Sequence, residues 1–294
     1  PGGITFSTIH ALCLRILISY GGLSVDNIMK TSDQWLFLLN TAKKCKNVND
    51  PAKAAGQFQT LYSAAMNNRI NPAEIKPEEI KGMTREDFLF MSEQYSAMKV
   101  ETGYIDFDDM LVKAYELLTE EPKVLSLLRD KWDYIQVDEY QDVNYLQRDL
   151  VYLLAGDKRN ICVAGDDDQS IYRFRGAKPE IMLNFTKDYP DARQVLLDTI
   201  YRCGRYIVET SKNLISYNTE RFDKDIIPSK TDDTPVEYIT FDSRKDENLY
   251  LIREIDKLIK QGAEFSDIAV LMRTNTQPRQ IIEQLMEYNL PFKT

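Results

Sequence analysis

The sequence predicts an α/β fold carrying an all-helical insertion, and three observations lead there. Short apolar runs at 134–137, 161–164 and 194–197 alternate with helical stretches, the pattern of a parallel sheet with crossover helices. Before them, from Ser24 to Tyr104, some 80 residues carry helical periodicity and no convincing strand. A second strand–helix series, at 236–241, 247–260, 268–272 and 279–288, follows a Pro/Asp-rich loop at 228–235. A chain of 294 residues has room for about two domains. At that size it buries roughly three quarters of its unfolded surface and needs no staples.

Taken in order, Ser7 is placed to cap a first helix over 7–20. Its apolar residues are Ile9, Leu12, Cys13, Ile16, Leu17 and Tyr20, and Gly21 ends it. Thr31 is the expected cap of a helix bearing Trp35, Leu38, Leu39 and Ala42, and Pro51 opens the next. Asn67–Pro72 reads as a loop. Thr84 with Asp87 starts a helix whose stripe is Phe88, Met91, Tyr95 and Met98. Asp106 caps another, with Phe107, Met110, Leu111, Ala114, Leu117 and Leu118 on one face, and Leu146–Leu154 is the helix between the first two strands.

Composition excludes several classes. The hydrophobic share of 43% and charged share of 28% are those of an ordinary globular protein. Cys13, Cys45, Cys162 and Cys203 form no CxxC pair, which excludes a zinc ribbon or disulfide framework by spacing and fits a reducing compartment. The single histidine, His10, rules out HExxH and two-histidine metal cages. No apolar run approaches the ~18 residues of a membrane span, and the expected location is cytoplasmic. A net charge of −9 argues against a generally basic nucleic-acid binder, but not against one that binds through a local groove and stacking aromatics.

Two segments carry chemistry. In Tyr134-Ile-Gln-Val-Asp138-Glu139 a β-run ends in two carboxylates. An Asp at a strand tip can hold Mg²⁺, and the next Glu can orient or deprotonate an attacking water. Acids at strand ends also simply cap the following helix, so this pair alone is ambiguous. The second run, Ile161-Cys-Val-Ala, ends in Gly165-Asp-Asp-Asp-Gln169. A Gln past a parallel strand tip reaches the same ligand, because ligands sit at the carboxyl ends of such strands. Tyr172, Phe174 and Arg175 follow at once: two ring faces and a cation, suited to stacking bases and holding a phosphate. The competing reading is two core rings flanked by solvated arginines.

At this point the residues resemble a family. Asp138-Glu-Tyr-Gln-Asp142, Gly165-Asp-Asp-Asp-Gln-Ser-Ile-Tyr-Arg-Phe-Arg-Gly-Ala177 and Tyr201-Arg202 look like motifs II, III and IV of superfamily 1 DNA helicases of the UvrD/PcrA/Rep type. Ser7-Thr8-Ile9-His10 resembles the family's DNA-contact motif, Asp106-Phe-Asp-Asp-Met110 its DFDDL segment, and Asp267–Asn275 its second-domain strand. The resemblance implies RecA-like P-loop motor domains. It makes 1–24 with 105–203 a partial first motor domain, 25–104 the inserted helical subdomain, and 204–294 the start of a second motor domain.

It implies ATP and Mg²⁺ as cofactors, with Asp138 on the metal, Glu139 activating water, and Gln169 and Arg202 at the γ-phosphate. Tyr201 packs on the nucleotide base. Thr8, His10, Phe107, Tyr172, Phe174 and Arg175 line a single-stranded DNA track, although Phe107 also lies on an apolar stripe that suits a core. The activity implied is ATP-dependent 3′→5′ translocation and duplex unwinding in repair, replication or recombination. The partners implied are single-stranded DNA, duplex junctions and the proteins of those pathways, with no membrane. Ile9, Phe174, Ile200 and Cys203 depart from the family's usual residues.

None of the twelve glycines precedes a Lys, so no GxxxxGK[ST] phosphate loop occurs in the chain. It reads as a middle piece of a larger helicase, inactive as an ATPase by itself. A helicase–nuclease subunit with the same motor, or a non-catalytic DNA-binding scaffold, are the alternatives.

Overall fold

The structure, a computed structural model, describes residues 3–173, 176–231, 234–274 and 277–293. Two compact units divide it: 1–198 with 215–225, and 199–214 with 226–294.

The first unit opens with α1 (Ile9–Tyr20), buried through Cys13, Ile16 and Leu17 and closed by Gly21. Its cap is Thr8, not Ser7: the Thr8 hydroxyl accepts the Ala11 N–H at 3.2 Å. Next come α2 (Thr31–Ala42), α3 (Pro51–Asn67) and α4 (Arg85–Thr102). Lys30 rather than Thr31 is the N-cap of α2, because the chain turns helical one residue earlier than the hydroxyl suggests. Asp50 and Thr84 cap α3 and α4 with their side chains, each accepting the N–H three residues on. These helices enclose their own apolar cluster around Leu38, Phe58, Phe88, Met91 and Tyr95.

The chain returns through a parallel bridge between Ile28 and Ile105. A reciprocal capping box between Asp106 and Asp109 then starts α5 (Phe107–Glu120). With α6 (Pro122–Lys131) and α7 (Tyr145–Ala155), α5 packs on α1 around Met110, Leu111, Leu118, Leu146 and Leu150. Strands β1 (Ile135–Val137) and β2 (Ile161–Val163) pair in parallel, Val137 opposite Val163, with α7 as the crossover between them. Two short helices, α8 (Pro179–Leu183) and α9 (Phe185–Asp188), follow; Ile181 and Phe185 pack with Tyr140 beside the strand ends.

The second unit holds β3 (Thr199–Ile200), α10 (Arg205–Ile215), β4 (Ile227–Pro228), α11 (Arg244–Lys260) and α12 (Pro278–Glu287). Strands β3 and β4 are parallel, and Ile252, Ile255, Ile281 and Leu285 form the unit's apolar cluster. The expected strands at 194–197, 236–241 and 268–272 have no strand partner among the described residues. Leu197, Tyr238 and Leu271 are fully open to solvent there. An apolar run supplies strand propensity, but a strand exists only when a neighbour takes its hydrogen bonds. Strands β1 and β2 are only half-buried, with Gln136 and Cys162 exposed.

Candidate functional site

The ladder between β1 and β2 continues past both strands: Ala164 N–H donates to Val137 O at 2.9 Å, and Tyr140 N–H to Ala164 O at 2.9 Å. This sets Asp138-Glu139 and the Gly165–Gln169 turn side by side at the carboxyl ends of two parallel strands, where ligands of such sheets bind. Asp138 is exposed, and its Oδ1 accepts the Glu139 N–H at 3.0 Å. Glu139 adopts the left-handed backbone, φ 51° and ψ 43°, a conformation that costs a non-glycine residue on the order of 1 kcal/mol and concentrates at working sites.

What holds Glu139 there is Gln141, a residue to which the sequence assigned no role. It is 1% exposed. Its Nε2 donates to Glu139 Oε2 at 2.6 Å while its Oε1 accepts the Asp166 N–H at 3.0 Å. One buried amide thus ties the β1 carboxylate to the turn after β2. A Cβ on Gly165 would stand 2.4 Å from Gln141 Oε1 and 3.0 Å from Tyr140 N, so only glycine admits this approach. Burial and the neighbouring Glu139 raise the Asp142 carboxyl above its ordinary range, and its Oδ1 is buried with no hydrogen-bond partner.

In the turn itself, Gln169 Nε2 donates to Asp166 Oδ2 at 2.8 Å. Oxygens of Asp166, Asp167 and Asp168 lie within 4.8 Å of one another, the composition of a cation site. That place is already taken by a side chain. Lys224 Nζ contacts Asp166 at 2.7 Å, Asp168 at 3.0 Å and also Asp167, and Arg221 grips Asp168 through two bonds of 2.7 Å.

A cavity of about 760 Å³ lies nearby, lined by His10, Ser63, Asn67, Asp108, Asp142 and Tyr172 among others. Phe107 is no core residue: it is 55% exposed, with its ring edge-to-face on His10 at 6.2 Å. Burial holds the His10 imidazole below its usual range, so it is neutral at pH 7. Asp108 is pushed up to about 6 by burial and by the Asp106 charge, against hydrogen bonds from Ser63 (2.8 Å) and Asn67 (2.7 Å) to its Oδ1. Phe174 and Arg175 lie outside the described residues. Thr8 is exposed at the start of α1. Tyr201 and Arg202 are exposed just after β3 in the second unit.

Residues 2–190 match the UvrD/REP helicase N-terminal domain, and 195–294 the UvrD-like helicase C-terminal domain. The chain belongs to the UvrD/REP helicase family. It is 33% identical over 297 residues to the ATP-dependent DNA helicase PcrA of Staphylococcus aureus, and 31% identical over 293 residues to that of Staphylococcus epidermidis. Each alignment covers 98% of this chain and 40% of the relative. The α/β fold with short parallel sheets agrees with the RecA-like motor expected of that family. Among the described residues no helix is long and apolar enough to cross a membrane.

Proposed function

We propose that this chain belongs to an ATP-driven DNA helicase that moves 3′→5′ along single-stranded DNA and opens duplex. The observation that carries the reading is the Asp138-Glu139 pair beside the Gly165–Gln169 turn, joined by the buried amide of Gln141. The donor set fits Mg²⁺, because Asp138 offers a hard, exposed carboxylate at the strand end. Once bound, the metal supplies charge neutralisation to the phosphates.

The protein's own groups do the rest. With Oε2 fixed by Gln141, Glu139 keeps its other oxygen for a water proton. Gln169 answers to the γ-phosphate from its turn. By the family resemblance, Arg202 answers to the γ-phosphate and Tyr201 to the nucleotide base. Thr8, His10, Phe107 and Tyr172, with Phe174 and Arg175, form the strand's track. Exposed Phe107 and the adjoining cavity support that assignment.

In domain terms, 1–24 and 105–203 belong to the first motor domain, 25–104 to its helical insertion, and 204–294 to the second motor domain. The protein works in the cytoplasm on single-stranded DNA and duplex junctions, with repair or replication proteins as partners.

The test is Glu139→Gln in the full-length gene product. Loss of a general base costs about 10²–10⁴-fold in turnover and leaves ATP affinity nearly intact. An equal loss of affinity and turnover makes Glu139 structural and sinks the reading. The 294-residue chain by itself, lacking GxxxxGK[ST], hydrolyses no ATP.

A further inference from the structure

Three consecutive aspartates occupy the turn after β2, and the side chain of Asp167 among them is almost fully buried, at 2% exposure. Left alone they would repel one another and carry the desolvation cost of a buried carboxylate. Their counter-charges come from a segment more than 50 residues further along the chain. Lys224 is 7% exposed and touches all three carboxylates. Arg221 closes on Asp168 as a two-bond fork, and Phe222 N–H donates to Asp167 Oδ2 at 2.7 Å. Burial alone lowers a lysine's proton affinity; here the three carboxylates outweigh it and hold the ammonium protonated.

The consequence lies one bond further on. Both oxygens of Asp166 are committed. Oδ1 accepts from Lys224 at 2.7 Å and from Asp168 N–H at 3.2 Å, while Oδ2 accepts the Gln169 amide at 2.8 Å. Rotating Asp166 to release Gln169 would break its contact with the buried ammonium. One Gln169 N–H is therefore spent inward, and the second N–H with Oε1 is left for a ligand.

We propose that Lys224, seconded by Arg221, is a positioning residue that sets the Gln169 amide at the nucleotide site by locking Asp166. The proposal rests on the reading of Gln169 as the group at the phosphate. Chemically it gives the lysine a part in turnover without contact with the nucleotide. It also explains why the aspartate cluster is a clamp and not a second metal site.

The experiment uses the full-length gene product and its DNA-stimulated ATPase, with Gln169→Ala, Lys224→Met, Lys224→Arg and the Gln169→Ala/Lys224→Met double variant. Removing a group that acts on transition-state charge costs roughly 10²-fold in kcat. Gln169→Ala is expected to lose about that much. Lys224→Met should lose at least about tenfold in kcat with KM for ATP within about threefold. Lys224→Arg restores kcat to within about threefold, and the double variant is no worse than Gln169→Ala alone, since residues acting through one group are not additive.

If Lys224→Met melts too early to assay, Asp166→Asn replaces it. It takes the acceptor from Gln169 and is expected to show the same loss of kcat at unchanged KM. Full turnover in Gln169→Ala overturns the reading of Gln169 and the proposal with it. Lost turnover in Gln169→Ala but full turnover in Lys224→Met or Asp166→Asn overturns the proposal alone, as do losses that multiply in the double variant.

Discussion

Asp108→Asn is expected to stabilise the protein, and to do so more as pH rises. The carboxyl is raised from 3.8 to about 6, first by burial and then by the Asp106 charge. A folded-state pKa above the unfolded one gives stability that is present below the unfolded value and lost as pH climbs through the folded value. At 1.36 kcal/mol per pH unit, a carboxylate charged at neutral pH costs the fold about 3 kcal/mol, and about half that at pH 5. Asparagine removes the charge and keeps Oδ1, the atom that receives both Ser63 and Asn67. The variant's advantage should therefore grow by about 1–1.5 kcal/mol between pH 5 and pH 8. Urea unfolding across that range measures the gap, and ¹³C NMR of labelled aspartates reads the carboxyl directly. The reasoning fails if the gap is independent of pH, or if no resonance titrating near pH 6 disappears in the variant.

Three further substitutions test the site's supports. Lys99→Met strands two carboxylates that the 9%-exposed ammonium holds at 3.0 Å (Asp106) and 2.8 Å (Asp109); a loss of about 3–5 kcal/mol is expected in thermal unfolding, and a change under about 1 kcal/mol would contradict it. Gly165→Ala drives a methyl into Gln141 Oε1 and should cost about 1–3 kcal/mol together with turnover in the full-length protein; unchanged melting and ATPase would show that the turn has slack. Phe107→Ala should barely alter melting, because the ring is 55% exposed, yet weaken oligonucleotide binding about 5- to 150-fold by fluorescence anisotropy, the worth of one stacked base. Normal DNA affinity removes Phe107 from the track.

The helices were legible because their signals are local. Thr84 and Asp106 sit one residue before the first helical turn and bond to the N–H three residues on. The stripe Phe88, Met91, Tyr95 faces a core because 3.6-residue periodicity needs no distant partner to be read. Strands are different. The runs at 194–197, 236–241 and 268–272 are apolar enough, but pairing depends on what lies beside them, which composition does not record. The same division holds at the site. Asp138, Glu139 and Gln169 stand in two short segments and could be picked out directly. Gln141 differs from any other polar residue after a strand only by its burial, and Lys224 and Arg221 reach their aspartates across 53 to 58 residues, a distance no local motif spans.

The parallel bridge at Ile28 and Ile105 has an architectural consequence. Met29 N–H donates to Ile105 O at 2.9 Å and Ile105 N–H to Asn27 O at 2.8 Å, so the helices between them leave and re-enter at one point, as a cassette does. The cassette has its own oil. Much of its attachment is made of ionic and amide bonds: Lys99 to Asp106 and Asp109, Ser63 and Asn67 to Asp108, Arg69 to Asp149. Bonds of that kind can be exchanged for water without baring an apolar core. Because Gln59, Thr60, Ser63 and Asn67 also line the cavity, excising the cassette at this joint would strip four of its eleven lining residues and leave those of the surrounding motor fold in place.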